Sequence, residues 1–171
     1  GDVEMTLAVD DAESGVAILA PVTALAPIGF ARLRDSSTAP GGEIAVAGYS
    51  YPDTLTEPVL TFGTLADTKD LEGNAARERL AIRALDGDAG GPVLDATGRV
   101  IGMLLPKVSQ DGRVLPGDVS FAADAEVIRR LLDSTAAAGA APAAAPAPGA
   151  MAAEDIARIG RDMTVEVDCW E

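Results

Sequence analysis

Short apolar runs separated by turn residues dominate the first two thirds of the chain. "MTLAV" (5–9), "GVAIL" (15–19) and "GEIAVAG" (42–48) are five to seven residues long and are bounded by Gly, Pro or Asp. The pattern continues in "ERLAIRA" (78–84) and "GDVSFAA" (117–123). Runs of this length, rich in Val, Ile and Leu, are typical of strands rather than helices. The sequence therefore predicts an all-β fold of short antiparallel strands in a barrel or sandwich.

Two longer segments extend the same pattern. Residues 49–66 alternate so that Val59 and Leu65 fall on one side of a strand and Phe62 on the other. "PVLDATGRVIGMLLP" (92–106) contains two apolar runs separated by Ala-Thr-Gly. This arrangement predicts a β-hairpin that turns at residues 96–98.

A helical pattern begins only after these strands. "DAEVIRRLLDST" (124–135) places its apolar residues on one face, and Asp124 is a suitable N-cap. An Ala/Pro tract at residues 136–150 follows, in which repeated prolines favour an extended linker. Residues 151–171 predict a short helix and then an alternating strand. We therefore divide the chain into a barrel domain (1–135), a linker (136–150) and a helix-strand tail (151–171).

The tail strand and the single cysteine suggest contacts with other chains. "DMTVEVDC" near the end of the chain shares a pattern with "EMTLAVDD" near its start, either by chance or because the tail adds to a sheet. That sheet would belong to the same molecule or to a neighbouring one. Cys169 is either a spare thiol or the partner of a cysteine in another chain.

Composition narrows the classes of function. The 171 residues are 48% hydrophobic but only 4% aromatic, which predicts a core of Val, Leu, Ile and Ala. A net charge of −14 argues against nucleic acid or an anionic membrane as partner. No apolar run is long enough for a membrane span. The chain contains no histidine, the commonest general base and metal ligand, so we expect neither metal nor cofactor.

A glycine-rich hexapeptide carries the clearest functional signal. Gly-Asp-Ala-Gly-Gly-Pro resembles the nucleophile loop Gly-Asp-Ser-Gly-Gly-Pro of trypsin/chymotrypsin-like serine proteases. The resemblance implies that Ala89 occupies the nucleophile position and that the N–H groups of Gly87 and Ala89 correspond to an oxyanion hole. It assigns support of the loop to Asp88, Gly90, Gly91 and Pro92.

The resemblance extends from about residue 15 to residue 134 and is similar to the bacterial HtrA-like branch. It rests on "PIGFARLRDSSTAPGGEIAVAGYSYPDTLTEPVLTFGTLA" and on "GDVSFAA" followed by a helix. It implies a trypsin-like β-barrel fold, with the complete second barrel, the end of the first and a short C-terminal helix. A periplasmic or secreted bacterial protein is the expected setting.

The chain departs from the family at its catalytic positions. "GVAIL" occupies the place of the strand start that carries the catalytic aspartate, which assigns that position to Gly15. The nucleophile, the aspartate and the histidine are therefore all missing from this chain. Two histories remain open. The intact loop around a single Ser-to-Ala change favours an engineered replacement at Ala89 in an active protease, whereas Gly15 at the aspartate position favours natural decay. Because the chain begins with a lone Gly, we expect it to start partway into a longer protein.

Two charged residues near the hexapeptide have alternative interpretations. By its spacing from Ala89, Arg83 corresponds to the base of the family's specificity pocket, where it would favour an acidic side chain; otherwise it pairs with a surface carboxylate. Asp88 either pairs with a buried group beside the loop or is an exposed turn residue.

These observations predict a pseudoprotease that binds a peptide or protein partner. One alternative is a serine endopeptidase captured as an inactive Ser-to-Ala fragment that lacks its His-bearing N-terminal part. A scaffold domain that joins other chains is the third interpretation.

Overall fold

The computed structural model describes residues 2–35, 38–51, 54–107, 115–135 and 149–169. Eight strands and two helices lie within these ranges. The strands are β1 Met5–Asp11, β2 Val16–Pro21, β3 Glu43–Gly48, β4 Val59–Asp67, β5 Arg77–Ala81, β6 Pro92–Asp95, β7 Val100–Leu104 and β8 Val119–Asp124. The helices are α1 Ala125–Asp133 and α2 Ala153–Met163.

Six strands close into an antiparallel barrel in the order β3-β4-β5-β8-β7-β6, with β6 returning to pair with β3. The predicted hairpin is confirmed, since β6 and β7 pair and the N–H of Gly98 donates to Asp95 O at 2.9 Å. The predicted all-β barrel class is therefore confirmed.

The barrel interior is aliphatic, as the low aromatic content predicts. Alternate residues of each strand point inward and exclude water, which supplies the main driving force for closure. The cluster comprises Ile44, Val46, Leu65, Leu80, Ile82, Ala84, Val93, Ile101, Leu104 and Ala122.

Strands β1 and β2 form a separate hairpin outside the barrel. β1 is largely exposed, whereas Val16 of β2 is buried against Leu105 and Ala123. Ile128 and Leu131 of α1 pack on the same cluster. One apolar patch on the outer wall of the barrel therefore holds both the hairpin and the first helix.

Helix α1 begins as predicted. The Asp124 carboxylate accepts a hydrogen bond from the N–H of Glu126 at 2.6 Å, which satisfies one of the free amide groups of the first turn.

Helix α2 confirms the predicted helix of the tail, but the predicted strand after it does not form. Ile156 packs with Ala45, Leu94 and Val100 on the outer face of the barrel. Residues 164–169 pair with no strand among the described residues, and Val165 is 73% exposed. Alternation alone does not make a strand when no sheet edge lies beside it. Residues 136–148 of the predicted linker and residues 170–171 lie outside the described ranges.

Candidate functional site

The hexapeptide loop connects β5 to β6 through a 3-10 turn at Asp86–Asp88. The N–H of Asp88 donates to Leu85 O at 3.0 Å, and the N–H of Ala89 donates to Asp86 O at 3.3 Å. An oxyanion hole needs N–H groups that point at the substrate oxygen. Because the Ala89 N–H is bonded within the loop, the oxyanion role of Gly87 and Ala89 stays a prediction that requires this hydrogen bond to open.

Close backbone contacts explain the glycines of the loop. A Cβ atom on Gly91 would lie 2.2 Å from Ala47 O, and one on Gly87 would lie 2.2 Å from Tyr49 O. Gly90 has a φ of +84°, a conformation that favours glycine. Gly87 and Gly91 are therefore pressed against the end of β3 and the residue after it, where a larger side chain has no room.

Asp88 anchors the loop from inside. Its carboxylate is buried, with the residue 1% exposed, and it accepts hydrogen bonds from the Leu85 N–H at 2.8 Å and from the Ser50 hydroxyl. The alternative of an exposed turn aspartate is therefore wrong. Asp88 acts on the shape of the loop, because both of its donors belong to the flanking chain.

Gly15 lies in the turn of the β1–β2 hairpin, and its conformation explains why glycine stands there. Its φ is +74°, and its N–H donates to Asp11 O at 2.9 Å. A Cβ at this position would lie 3.3 Å from the Leu105 Cδ2 atom. The position assigned to the catalytic aspartate is therefore a left-handed turn against an apolar side chain, which disfavours a carboxylate.

A cavity of about 390 Å³ opens beside this turn. Its walls include Gly15, Leu71, Leu105, Lys107 and Phe121. The residues of the hexapeptide loop do not line it. The structure therefore does not bring Ala89 and Gly15 into one cavity.

Arg83 lies on the surface. Its neighbours Ile82 and Ala84 are buried in the barrel, so alternation turns the Arg83 side chain outward. It lines neither the cavity beside Gly15 nor the cavity at the other end of the barrel. Its role in specificity stays a prediction, and no ion pair of Arg83 occurs within the described residues.

Comparison with known families supplies the decisive observation. Residues 2–103, more than half of the chain, match the model of the trypsin-like peptidase domain. The chain belongs to this family. A search of curated proteins finds no match.

This trypsin-like domain has a second notable cluster at the end of the barrel opposite the hexapeptide loop. Glu78, near the start of β5, points inward with Leu80 and is 2% exposed. Burial, reinforced by the nearby Asp124 carboxylate and opposed by Arg34, raises the pKa of Glu78 to about 7. Burial also raises the pKa of Asp124.

Glu78 is not among the residues that the sequence motifs indicated, although its position in the strand pattern was a signal. In "ERLAIRA" the glutamate shares the inward alternation of Leu80 and Ile82. A carboxylate in register with core residues indicates either a buried functional group or a rim position.

Three further features of the described residues concern metal-binding clusters, membrane-spanning helices and free thiols. Within those ranges, no cluster of three or more His, Cys, Asp or Glu side chains is arranged to hold a metal ion. Among the described helices, neither is long and apolar enough to cross a membrane. Cys169 is an exposed free thiol.

Proposed function

We propose that this trypsin-like domain binds a peptide or protein partner without cleaving it. The observation that carries the proposal is the state of the hexapeptide loop. Its shape is held by the buried Asp88, yet the side chain at its tip is Ala89, and the N–H of that residue donates to Asp86 O. The loop thus has the family's framework without a group that can attack a carbonyl.

The chemistry of peptide hydrolysis explains why this loss is decisive. Acyl transfer needs a hydroxyl or thiol nucleophile and a base that removes its proton. Ala89 supplies no nucleophile, and the chain contains no histidine. Gly15, at the position assigned to the catalytic aspartate, has no carboxylate to orient an imidazole. What remains is backbone polarisation, which gives only weak residual catalysis in triad knockouts.

The cavity beside Gly15 is the best candidate for the partner's side chain. Its volume of about 390 Å³ falls in the range of ligand sites. Leu71, Leu105 and Phe121 supply an apolar wall, and Lys107 stands at the same cavity. Leu71 is 62% exposed, so an incoming apolar side chain would remove it from water. We therefore propose a peptide with an apolar anchor residue as the ligand.

One observation favours the alternative of a serine endopeptidase that has been inactivated. Ala89 is the single departure in a six-residue match to the family's nucleophile loop. An affiliation with the HtrA-like branch, and with it a periplasmic or secreted location, is a further proposal. It is supported by the order of the loop, the "GDVSFAA" strand and the helix that follows.

A covalent probe tests the catalytic part of the proposal. The chain with Ala89, and the full-length product of the unmodified gene, are incubated with a fluorophosphonate. We expect neither to be labelled at this loop. Labelling of the full-length product at residue 89 would refute the non-catalytic function and establish the endopeptidase.

A peptide-display screen tests the binding part. Random heptapeptides are selected on the immobilised protein, and the retained peptides are measured against Leu71→Asp by fluorescence polarisation. We expect enrichment of Leu, Met or Phe at one position and at least about tenfold weaker binding to the variant. Leu55→Asp, which changes another exposed leucine away from the cavity, is the matched control. Failure to enrich any peptide, or equal binding to all three proteins, would contradict the proposal.

A further inference from the structure

The end of the barrel opposite the hexapeptide loop contains a second cavity, of about 210 Å³. Glu78 stands near the start of β5, whereas the loop follows the end of that strand. Asp124 closes the antiparallel β8 at the same end as Glu78. The cavity is therefore separate from the site described above, and what it binds does not rest on the proposed function.

Two buried oxygen atoms of this cavity lack hydrogen-bond partners. Glu78 Oε2 and Thr38 Oγ1 accept no hydrogen bond from any described residue, although both residues line the cavity. Glu78 is 2% exposed and Thr38 is 7% exposed. Buried polar atoms are normally paired, because an unpaired one loses its hydration without compensation. A buried carboxylate oxygen and a buried hydroxyl on one cavity indicate a polar partner that none of the described residues supplies.

We infer that this cavity binds a primary alkylammonium group, whose N–H donors pair with Glu78 Oε2 and Thr38 Oγ1 at the end of the barrel. Glu78 and Ile101 line the cavity and are both buried, whereas Asp35 and Glu126 line it and are exposed. A cation entering past Asp35 and Glu126 would therefore meet a negatively charged entrance before it reached Glu78.

The residues that line the cavity favour an alkylammonium group over a metal ion. Within the described part of the chain, no three carboxylates are close enough together to hold a metal. An alkylammonium has three N–H donors on one atom, which suits two acceptors on one small cavity. Its methylene stem would lie against Ile101 and Ala125, which are apolar and almost fully buried.

The charges around Glu78 determine how binding depends on pH. Asp124 faces it from the end of β8, Glu126 lies on the first turn of α1, and Arg34 and Asp35 lie on the segment that precedes β3. The Arg34 guanidinium is hydrogen-bonded to the Asp95 carboxylate.

Asp35 is also engaged, because it pairs with Arg99 at 3.7 Å and with Arg129 at 3.2 Å. Glu78 and Asp124 are therefore the carboxylates of the interior, and a bound cation would favour ionised Glu78. Because the pKa of Glu78 is about 7, only ionised protein binds the cation tightly, and affinity should rise about tenfold between about pH 6 and about pH 8.

A titration monitored by amide chemical shifts tests the site. The probes are n-butylammonium and Nα-acetyl-lysine amide, each added up to about 50 mM, with n-butyltrimethylammonium as a cation of the same charge that has no N–H donors. We expect the two primary ammonium probes to shift the amide signals of residues around the cavity and the trimethyl probe not to do so. Glu78→Gln should weaken binding at least about tenfold, and Thr38→Val about threefold or more. Glu154→Gln, which removes an exposed carboxylate on α2, should leave binding unchanged.

The two probes also distinguish the source of the ammonium group. Equal or tighter binding of the lysine amide supports the side chain of a polypeptide partner, and binding of n-butylammonium alone supports a free small amine. Absence of saturable binding by both probes would overturn the inference and leave a hydrated cavity. Equal binding by the trimethyl probe, or by Glu78→Gln, would overturn it as well, because the effect would then be general attraction to an acidic protein.

Discussion

Replacement of Glu78 by Gln should change the pH dependence of folding stability. Glutamine has nearly the same shape as glutamate but cannot ionise. In the native protein, burial raises the pKa of Glu78 from 4.5 to about 7. Below about pH 4.5 the side chain is neutral in both folded and unfolded states and contributes no pH dependence. Between about pH 4.5 and pH 7 the unfolded chain ionises first, so stability falls as pH rises.

The size of this effect follows from the two pKa values. A tenfold change in a proton equilibrium corresponds to about 1.4 kcal/mol, so a pKa raised from 4.5 to about 7 corresponds to about 3 kcal/mol in total. Most of this amount, about 2 to 3 kcal/mol, is lost between about pH 5 and about pH 8.5. Glutamine does not ionise, so Glu78→Gln does not lose this stability as the pH rises. The variant should therefore gain about 2 to 3 kcal/mol relative to the native protein across that interval.

Urea denaturation followed by far-ultraviolet circular dichroism measures the free energy of unfolding of Glu78→Gln and of the native protein. The two proteins are compared at about pH 5 and at about pH 8.5, at one ionic strength. Any cost of burying the amide appears at both pH values and cancels when the two are compared. Glu154→Gln serves as the control, since an exposed glutamate should alter stability equally at the two values. If the difference between Glu78→Gln and the native protein varies by less than about 0.5 kcal/mol, the carboxyl group is not held in a water-poor site and the reasoning fails.

Three further substitutions test the packing around the loop and α2, each by urea denaturation. Gly91→Ala places a Cβ 2.2 Å from Ala47 O and should lower the free energy of unfolding by about 2 kcal/mol or more. Gly117→Ala, which has open space around it, is the control and should change stability by less than about 0.5 kcal/mol. Equal effects of the two substitutions would contradict the close contact. Asp88→Ala leaves buried donors unpaired and should cost about 1 to 3 kcal/mol, so a neutral result would show that the carboxylate does not anchor the loop. A Cβ atom on Gly160 of α2 would lie 3.0 Å from the Ala47 Cβ, so Gly160→Val overfills this contact and should lower stability by about 1 to 3 kcal/mol. Unchanged stability would mean that α2 does not pack there.

Local patterns in the sequence predicted most elements of the fold. Alternation and turn residues located the barrel strands, and Asp124 marked the start of α1. The hexapeptide alone indicated the trypsin-like family. These predictions succeed because each depends on residues close together in the chain. The strand predicted after α2 does not form, because a strand needs a neighbouring sheet edge and residues 164–169 cannot supply one themselves.

The sequence by itself determined the class of fold, the absence of histidine and the identity of Ala89 at the tip of the loop. Only the tertiary structure decided what these residues do. The closed barrel brings the Ser50 hydroxyl to the Asp88 carboxylate beneath the loop and encloses Glu78 at the far end. Alternation shows which side chains of a strand point inward, but which distant residues surround them depends on how the barrel closes.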